Sequence, residues 1–196
     1  MKIIGIGGLP RSGKDTLAEW LMQAGYFGFS FGDFTRMHAR ERHKDKPDPI
    51  SVANMTETSN WLRNTSGGDV ILQAALKEFD KQQASGKQYK GLVLFSVRAP
   101  SEVDFILKHD GQVVWVEASD QVRYDRNMAD KREGEPDISL AEFKRQEALQ
   151  WRPQPDLPPE AQMNVEYVKN HATLVVENNF DNIEDFKTAA QKALSL

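Results

Sequence analysis

The sequence contains no cysteine. That absence excludes disulfide frameworks, thiolate nucleophiles, iron–sulfur clusters and cysteine-ligated zinc, so any chemistry rests on oxygen, nitrogen and backbone groups. Long hydrophobic runs are lacking as well: those at Gly91–Val97 and Val113–Val116 fall far short of the roughly 18 residues that a membrane-spanning helix requires. A large excess of charge of one sign is also missing. The 25 basic and 29 acidic residues leave a net charge of -4, which argues against a surface that grips nucleic acid or anionic lipid as a whole. Met1-Lys2 leads directly into Ile3-Ile4-Gly5-Ile6, an order that predicts no signal peptide and a cytoplasmic protein. The four histidines, at 38, 43, 109 and 171, show no metal-ligand spacing and read as surface residues.

What is present fits one compact α/β domain over residues 1–196, of which 39% are hydrophobic. Short apolar runs at Lys2–Ile6, Gly28–Phe31, Gly91–Val97, Gln112–Glu117 and Thr173–Glu177 read as strands. Between them lie helical patterns. The first places Leu17, Trp20, Leu21 and Ala24 on one face and stops at Gly25. Further helices are expected at Phe34–Lys46, which is mostly basic and broken by Pro47 and Pro49, and at Met55–Arg63, Asp69–Ala84 and Ser101–Lys108. Four more follow at Asp120–Lys131, Leu140–Trp151, Glu160–Asn170 and Ile183–Leu194. Lys131–Asp137 reads as an exposed loop and the four prolines of Pro153–Pro159 as an extended connector. The alternation of strand and helix predicts a parallel sheet covered by helices. Trp20 and Trp115 fit core packing.

Gly8-Leu9-Pro10-Arg11-Ser12-Gly13-Lys14 matches the G-x-x-x-x-G-K core of a phosphate-binding loop, between a predicted strand and a predicted helix as that motif requires. Glycines let the backbone curl so that successive N–H groups face phosphate oxygens, and the helix N-terminus adds its positive end. Lys14 is expected to reach the β- and γ-phosphates of ATP, with Gly8, Arg11, Ser12 and Gly13 forming the cradle. The residue after Lys14 is Asp15, where the motif has a Ser or Thr hydroxyl on Mg²⁺. Two uses are open to Asp15: holding the magnesium directly or through a water, or capping the helix. Thr16 lies one helical step further round.

Arg11-Ser12-Gly13-Lys14-Asp15-Thr16 resembles the loop of bacteriophage deoxynucleoside monophosphate kinase. Ser30-Phe31-Gly32-Asp33 with Arg36, Leu62-Arg63, Ser96-Val97-Arg98, Val122–Arg126 and Val176–Asn179 look like the dephospho-coenzyme A kinase-related nucleotide kinases, relatives of adenylate kinase. The resemblance implies a three-layer P-loop kinase fold: a five-stranded parallel sheet flanked by helices, with an acceptor-binding helical insertion at about 34–86 and a lid at about 126–140. It places an acceptor against Asp33, Arg36, Arg40, Arg63 and Arg98. It assigns Arg123, Arg126 and Arg132 to closure over the triphosphate, and Asn178-Asn179-Phe180 to contact with adenine. It also places Ser96 where relatives carry an acidic residue that holds the metal's water shell, leaving Asp15 and Asp33 as metal ligands.

The activity expected from loop and resemblance together is transfer of the ATP γ-phosphoryl group to a ribo- or deoxynucleoside monophosphate, with Lys14, Asp33, Arg98, Arg123 and Arg126 as the catalytic set and Mg²⁺ as cofactor. Transfer to a hydroxyl, as in dephospho-coenzyme A, is the alternative, with Asp33 as the base. An ATP-binding switch with little catalysis is a second one, motivated by Ser96. Small nucleotides are the expected partners; the acidic balance argues against nucleic acid as an acceptor, and a homodimer is left open.

Overall fold

The computed structural model describes residues 2–130, 137–153 and 162–194, the side chain of Leu149 excepted. Its centre is a parallel sheet of β1 (Lys2–Gly7), β2 (Phe27–Ser30), β3 (Gly91–Phe95), β4 (Gln112–Glu117) and β5 (Leu174–Glu177) in the order β2-β3-β1-β4-β5. Alternate residues of these strands point to opposite faces, and both faces are covered, which is why the strands read as nearly unbroken apolar runs. Ile3, Leu92, Leu94, Val113 and Trp115 face one core. Ile4, Ile6, Val93, Val114 and Val116 face the other.

The second core is closed by α1 (Lys14–Gln23), through Leu17, Ala18 and Leu21, and by α9 (Ile183–Leu194), through Phe186, Ala190 and Leu194. The first core is closed by α2 (Phe31–Arg42), α4 (Val70–Ala84), α5 (Pro100–Lys108) and α8 (Val165–Asn170). Helix α3 (Val52–Ser66) packs on α2 and α4, while α6 (Asp120–Ala129) and α7 (Leu140–Trp151) pack on each other. The result is the expected three-layer α/β sandwich. Its central strand β1 lies between β3 and β4, so the loop after β1 sits at the carboxyl edge where such sheets bind ligands. No helix among the described residues is long and apolar enough to cross a membrane.

Several boundaries differ from the sequence-based expectation. The second helix starts at Phe31, not Phe34, because the Ser30 hydroxyl accepts the amide of Asp33 and caps it there. Ser51 likewise caps α3 through the amide of Asn54, so the helix starts at Val52, three residues ahead of the expected Met55. Helix α8 begins at Val165, capped by Asn164. The expected exposed loop, with Arg132 of the expected lid, and the proline connector lie mostly outside the described residues, in 131–136 and 154–161. His43 is not on the surface: it is 8% exposed, with Nε2 at 3.1 Å from the Thr58 hydroxyl and 2.9 Å from Glu57.

Candidate active site

Residues 8–13 form a loop between β1 and α1, tightened by a hydrogen bond from the Ser12 amide to the Leu9 carbonyl at 3.2 Å. Three successive loop carbonyls are tied to side chains from outside it. Pro10 O accepts from Arg123 Nη1 at 3.3 Å, Arg11 O from Arg126 Nη1 at 3.3 Å, and Ser12 O from Asn178 Nδ2 at 2.7 Å. No peptide here is cis, so the N–H of each trans peptide unit points opposite its carbonyl. The amides of Arg11 and Gly13 are thereby turned away from these braces. Gly13 has φ 99°, and a Cβ on it would lie 2.2 Å from Asn178 Nδ2, so only glycine allows this closure.

Lys14 opens α1 with its side chain 6% exposed, and its ammonium lies 2.9 Å from the Asp15 carboxylate. Asp15 stands 45% exposed on the first helical turn, where its charge also suits the helix dipole. The helix begins at Gly13 without a side-chain cap, which leaves the capping role to neither Asp15 nor Thr16. The Ser12 hydroxyl is buried inside the loop and makes no hydrogen bond.

The arginines expected over the triphosphate are placed differently. Arg123 is 1% exposed and all five of its donors are taken. Nε donates to Ala118 O at 3.1 Å, Nη1 to Pro10 O and Glu147, and Nη2 to Asp120 at 2.8 Å and Glu147 at 3.0 Å. Each donor of this guanidinium meets a protein acceptor in this conformation, and one of them braces the loop at the Pro10 carbonyl. Burial pushes the Glu147 carboxyl above the ordinary carboxylate range, against the pull of Arg123, whereas Lys144 and Arg123 hold Asp120 below it. Arg126 is tied to the carbonyls of Arg11, Asn178 and Phe180, and burial lowers its pKa. Asn178, expected at adenine, is 4% exposed and belongs to the same brace; Asn179 is exposed and accepts the Ser119 amide at 2.7 Å. Arg11 reaches Asn127 at 3.1 Å and Asp130 at 3.2 Å.

Across the sheet edge, Asp33 and Arg36 pair on the first turn of α2. Arg40 is exposed one turn further on. Ser96, just past β3, has φ 65° and lies against Gly32. Arg98 follows, with Nη1 donating to Gln150 Oε1 at 2.5 Å. Arg63 does not stand in the open beside it. Its guanidinium, 3% exposed, meets Ser59 and, at 2.5 Å, Glu102. The structure thus gathers the loop, Asp33, Arg36, Ser96 and Arg98 at the carboxyl ends of adjacent strands, and sets Arg63 behind them. A cavity of about 540 Å³ opens beside the loop between Leu9 and Trp151, with Asp120, Lys144 and Glu147 at its rim. Sequence reasoning did not find Glu102, Glu147 or Gln150. Only Glu102 carried a local signal, as the third residue of a helix opened by Pro100.

Fold and loop together define a P-loop NTPase of the nucleotide kinase superfamily. Residues 4–150 match the model of the AAA_18 family, an AAA domain. A UPF0200 protein of Pyrobaculum aerophilum is 30% identical over 145 residues, covering 73% of this chain and 74% of its own, and one from Methanococcus vannielii is 28% identical over 68% and 69%. The chain belongs to the AAA_18 family and, within that superfamily, to the UPF0200 proteins. Among solved structures it is similar to TT1252 from Thermus thermophilus, at 23% identity and TM-score 0.54 over 99% of this chain and 96% of that one. A shikimate kinase from Bacteroides thetaiotaomicron gives 11% and 0.55 over 100% and 99%. At these identities the likeness is one of fold.

Proposed function

We propose that the protein is an ATP-dependent phosphotransferase that moves the γ-phosphoryl group to a ribo- or deoxynucleoside monophosphate. The observation that carries this reading is the triple brace on the loop carbonyls of Pro10, Arg11 and Ser12, which fixes the loop backbone beside a buried Lys14. An anion cradle that is rigid before the ligand arrives loses little freedom on binding and favours charge that builds up during transfer. Lys14 holds the β- and γ-phosphate oxygens. Arg98, three residues past the end of β3, faces the acceptor from the neighbouring strand and orients its phosphate, with Arg36 beside it.

Magnesium fits the residues present. Among the described residues no group of three or more His, Asp or Glu side chains is arranged to hold a metal, but Mg²⁺ in phosphotransferases needs only one or two carboxylates beside the phosphates and its waters. The half-exposed Asp15 carboxylate next to Lys14 is such a donor and would hold it; bound there, the ion would neutralise charge on the β- and γ-oxygens. A hydroxyl acceptor of the dephospho-coenzyme A type would need Asp33 as its base; Arg36 pairs with one oxygen of that carboxylate, which is 68% exposed, so the assay below separates the two acceptor classes.

The test is coupled ADP release from Mg-ATP against a panel of nucleoside monophosphates and dephospho-coenzyme A, with Lys14→Ala as blank. Turnover that needs a monophosphate and vanishes in the variant supports the reading. Tight ATP binding with no acceptor stimulation would replace it by a nucleotide-dependent switch, the reading that the Ser96 departure favours.

A further inference from the structure

We infer that Glu102 is a positioning residue, whose buried carboxylate ties the turn carrying Arg98 to helix α3 and so sets where the acceptor phosphate is met. The inference rests on the proposed acceptor reading, since it is the placement of Arg98 that it explains. Glu102 is 1% exposed. Its Oε2 accepts the amide of Arg98 at 2.7 Å and that of Ala99 at 3.0 Å. Its Oε1 accepts from Arg63 Nη2 at 2.5 Å, across 39 residues of chain.

Capping α5 needs much less than this. A glutamate at the third helical position accepts the N-cap amide from the protein surface with no counter-ion. Burying the carboxylate adds a desolvation cost, which Arg63, itself 3% exposed, offsets only because the pair is close and directed. Buried pairs of this kind are poor stabilisers compared with apolar side chains of the same volume. What the pair does supply is a fixed distance and direction between α3, in the segment joining β2 to β3, and the turn at the end of β3.

The turn itself is held at every point where Arg98 could drift. Its amide is bound by Glu102, its carbonyl accepts the Asn164 amide at 2.7 Å, and its guanidinium reaches Gln150 at 2.5 Å. Ser96 at its start has φ 65°, which L residues hold only when the surroundings impose it. Arg63 is then a tether. Nη1 is spent on the carbonyl and hydroxyl of Ser59 and Nη2 on Glu102, while Nε is buried with no partner.

Calorimetric titration of ATP and, separately, of nucleoside monophosphates into wild type, Glu102→Gln and Arg63→Lys tests this, with each variant's folding checked by circular dichroism. Gln keeps length and an acceptor oxygen but loses the charge, and Lys keeps charge but loses the fork. The expected result is monophosphate binding weakened about ten- to a hundredfold in both variants, the scale of a small misplacement at a site, with ATP binding within about twofold. Equal weakening of both ligands would make Glu102 a mere structural support and overturn the inference, as would no weakening of either. If Glu102→Gln does not fold, Arg63→Lys decides by the same criterion. Wild type that binds ATP but no monophosphate would instead remove the acceptor reading, and the inference with it.

Discussion

Replacing Arg123 by Met should destabilise the fold far more than loss of a surface arginine does. The guanidinium is 1% exposed, and its removal strands the Glu147 carboxylate, 10% exposed, without its counter-ion. Breaking a buried pair from one side costs about 3–5 kcal/mol. For a chain of this size each kcal/mol moves Tm by about 2–4 °C, so the expected fall is about 6–20 °C. Thermal and denaturant unfolding followed by circular dichroism measures it. Arg145→Met, which removes an exposed arginine paired with Glu142, is the comparison and should leave Tm essentially where it is. Arg123→Met also frees the Pro10 carbonyl, so the folded fraction should bind ATP more weakly. A fall of less than about 1 kcal/mol would place Arg123 among solvated lid cations, and the bracing account of the loop would be wrong.

Gly13→Ala forces an L residue to φ 99° and drives a methyl into Asn178; the conformation alone costs about 1–2 kcal/mol, and ATP binding measured by titration should disappear while the sheet still folds. Glu147 has a folded pKa raised by burial from 4.5, so between its unfolded and folded values the native state holds a proton that the unfolded chain has lost. Stability from this group is therefore complete below the unfolded value and declines as pH rises through the folded one. Glu147→Gln should gain on wild type as pH rises above about 4.5 in paired denaturation curves, and a flat difference would contradict the assignment. Asp33→Asn should slow transfer to a monophosphate only modestly; a loss of several orders of magnitude in the coupled assay would point to a hydroxyl acceptor instead.

The sheet was legible because parallel strands buried on both faces leave unbroken apolar runs, as at Gln112–Glu117, where the expected and observed strand coincide. Phe31 misled for the same reason. An apolar residue after Gly28-Phe29-Ser30 reads as more strand, although the Ser30 hydroxyl had already opened a helix. The phosphate loop was legible from its own seven residues. Its supports were not, because Arg123, Arg126 and Asn178 meet the loop from 113 to 166 residues away, and no local pattern tells a phosphate-binding arginine from one that binds a carbonyl. The same blindness hid Glu147 and Gln150, whose partners Arg123 and Arg98 lie 24 and 52 residues distant. His43 read as a surface residue of a basic helix, but Glu57 and Thr58 of α3 pack over it.

The central claim is transfer, not binding. Incubation of the protein with γ-labelled Mg-ATP and each nucleoside monophosphate, followed by separation of the nucleotides, reads it directly. The account predicts label in a nucleoside diphosphate with wild type, and a rate at least about a hundredfold lower with Lys14→Ala. Label released only as inorganic phosphate, or equal transfer by wild type and variant, would contradict it.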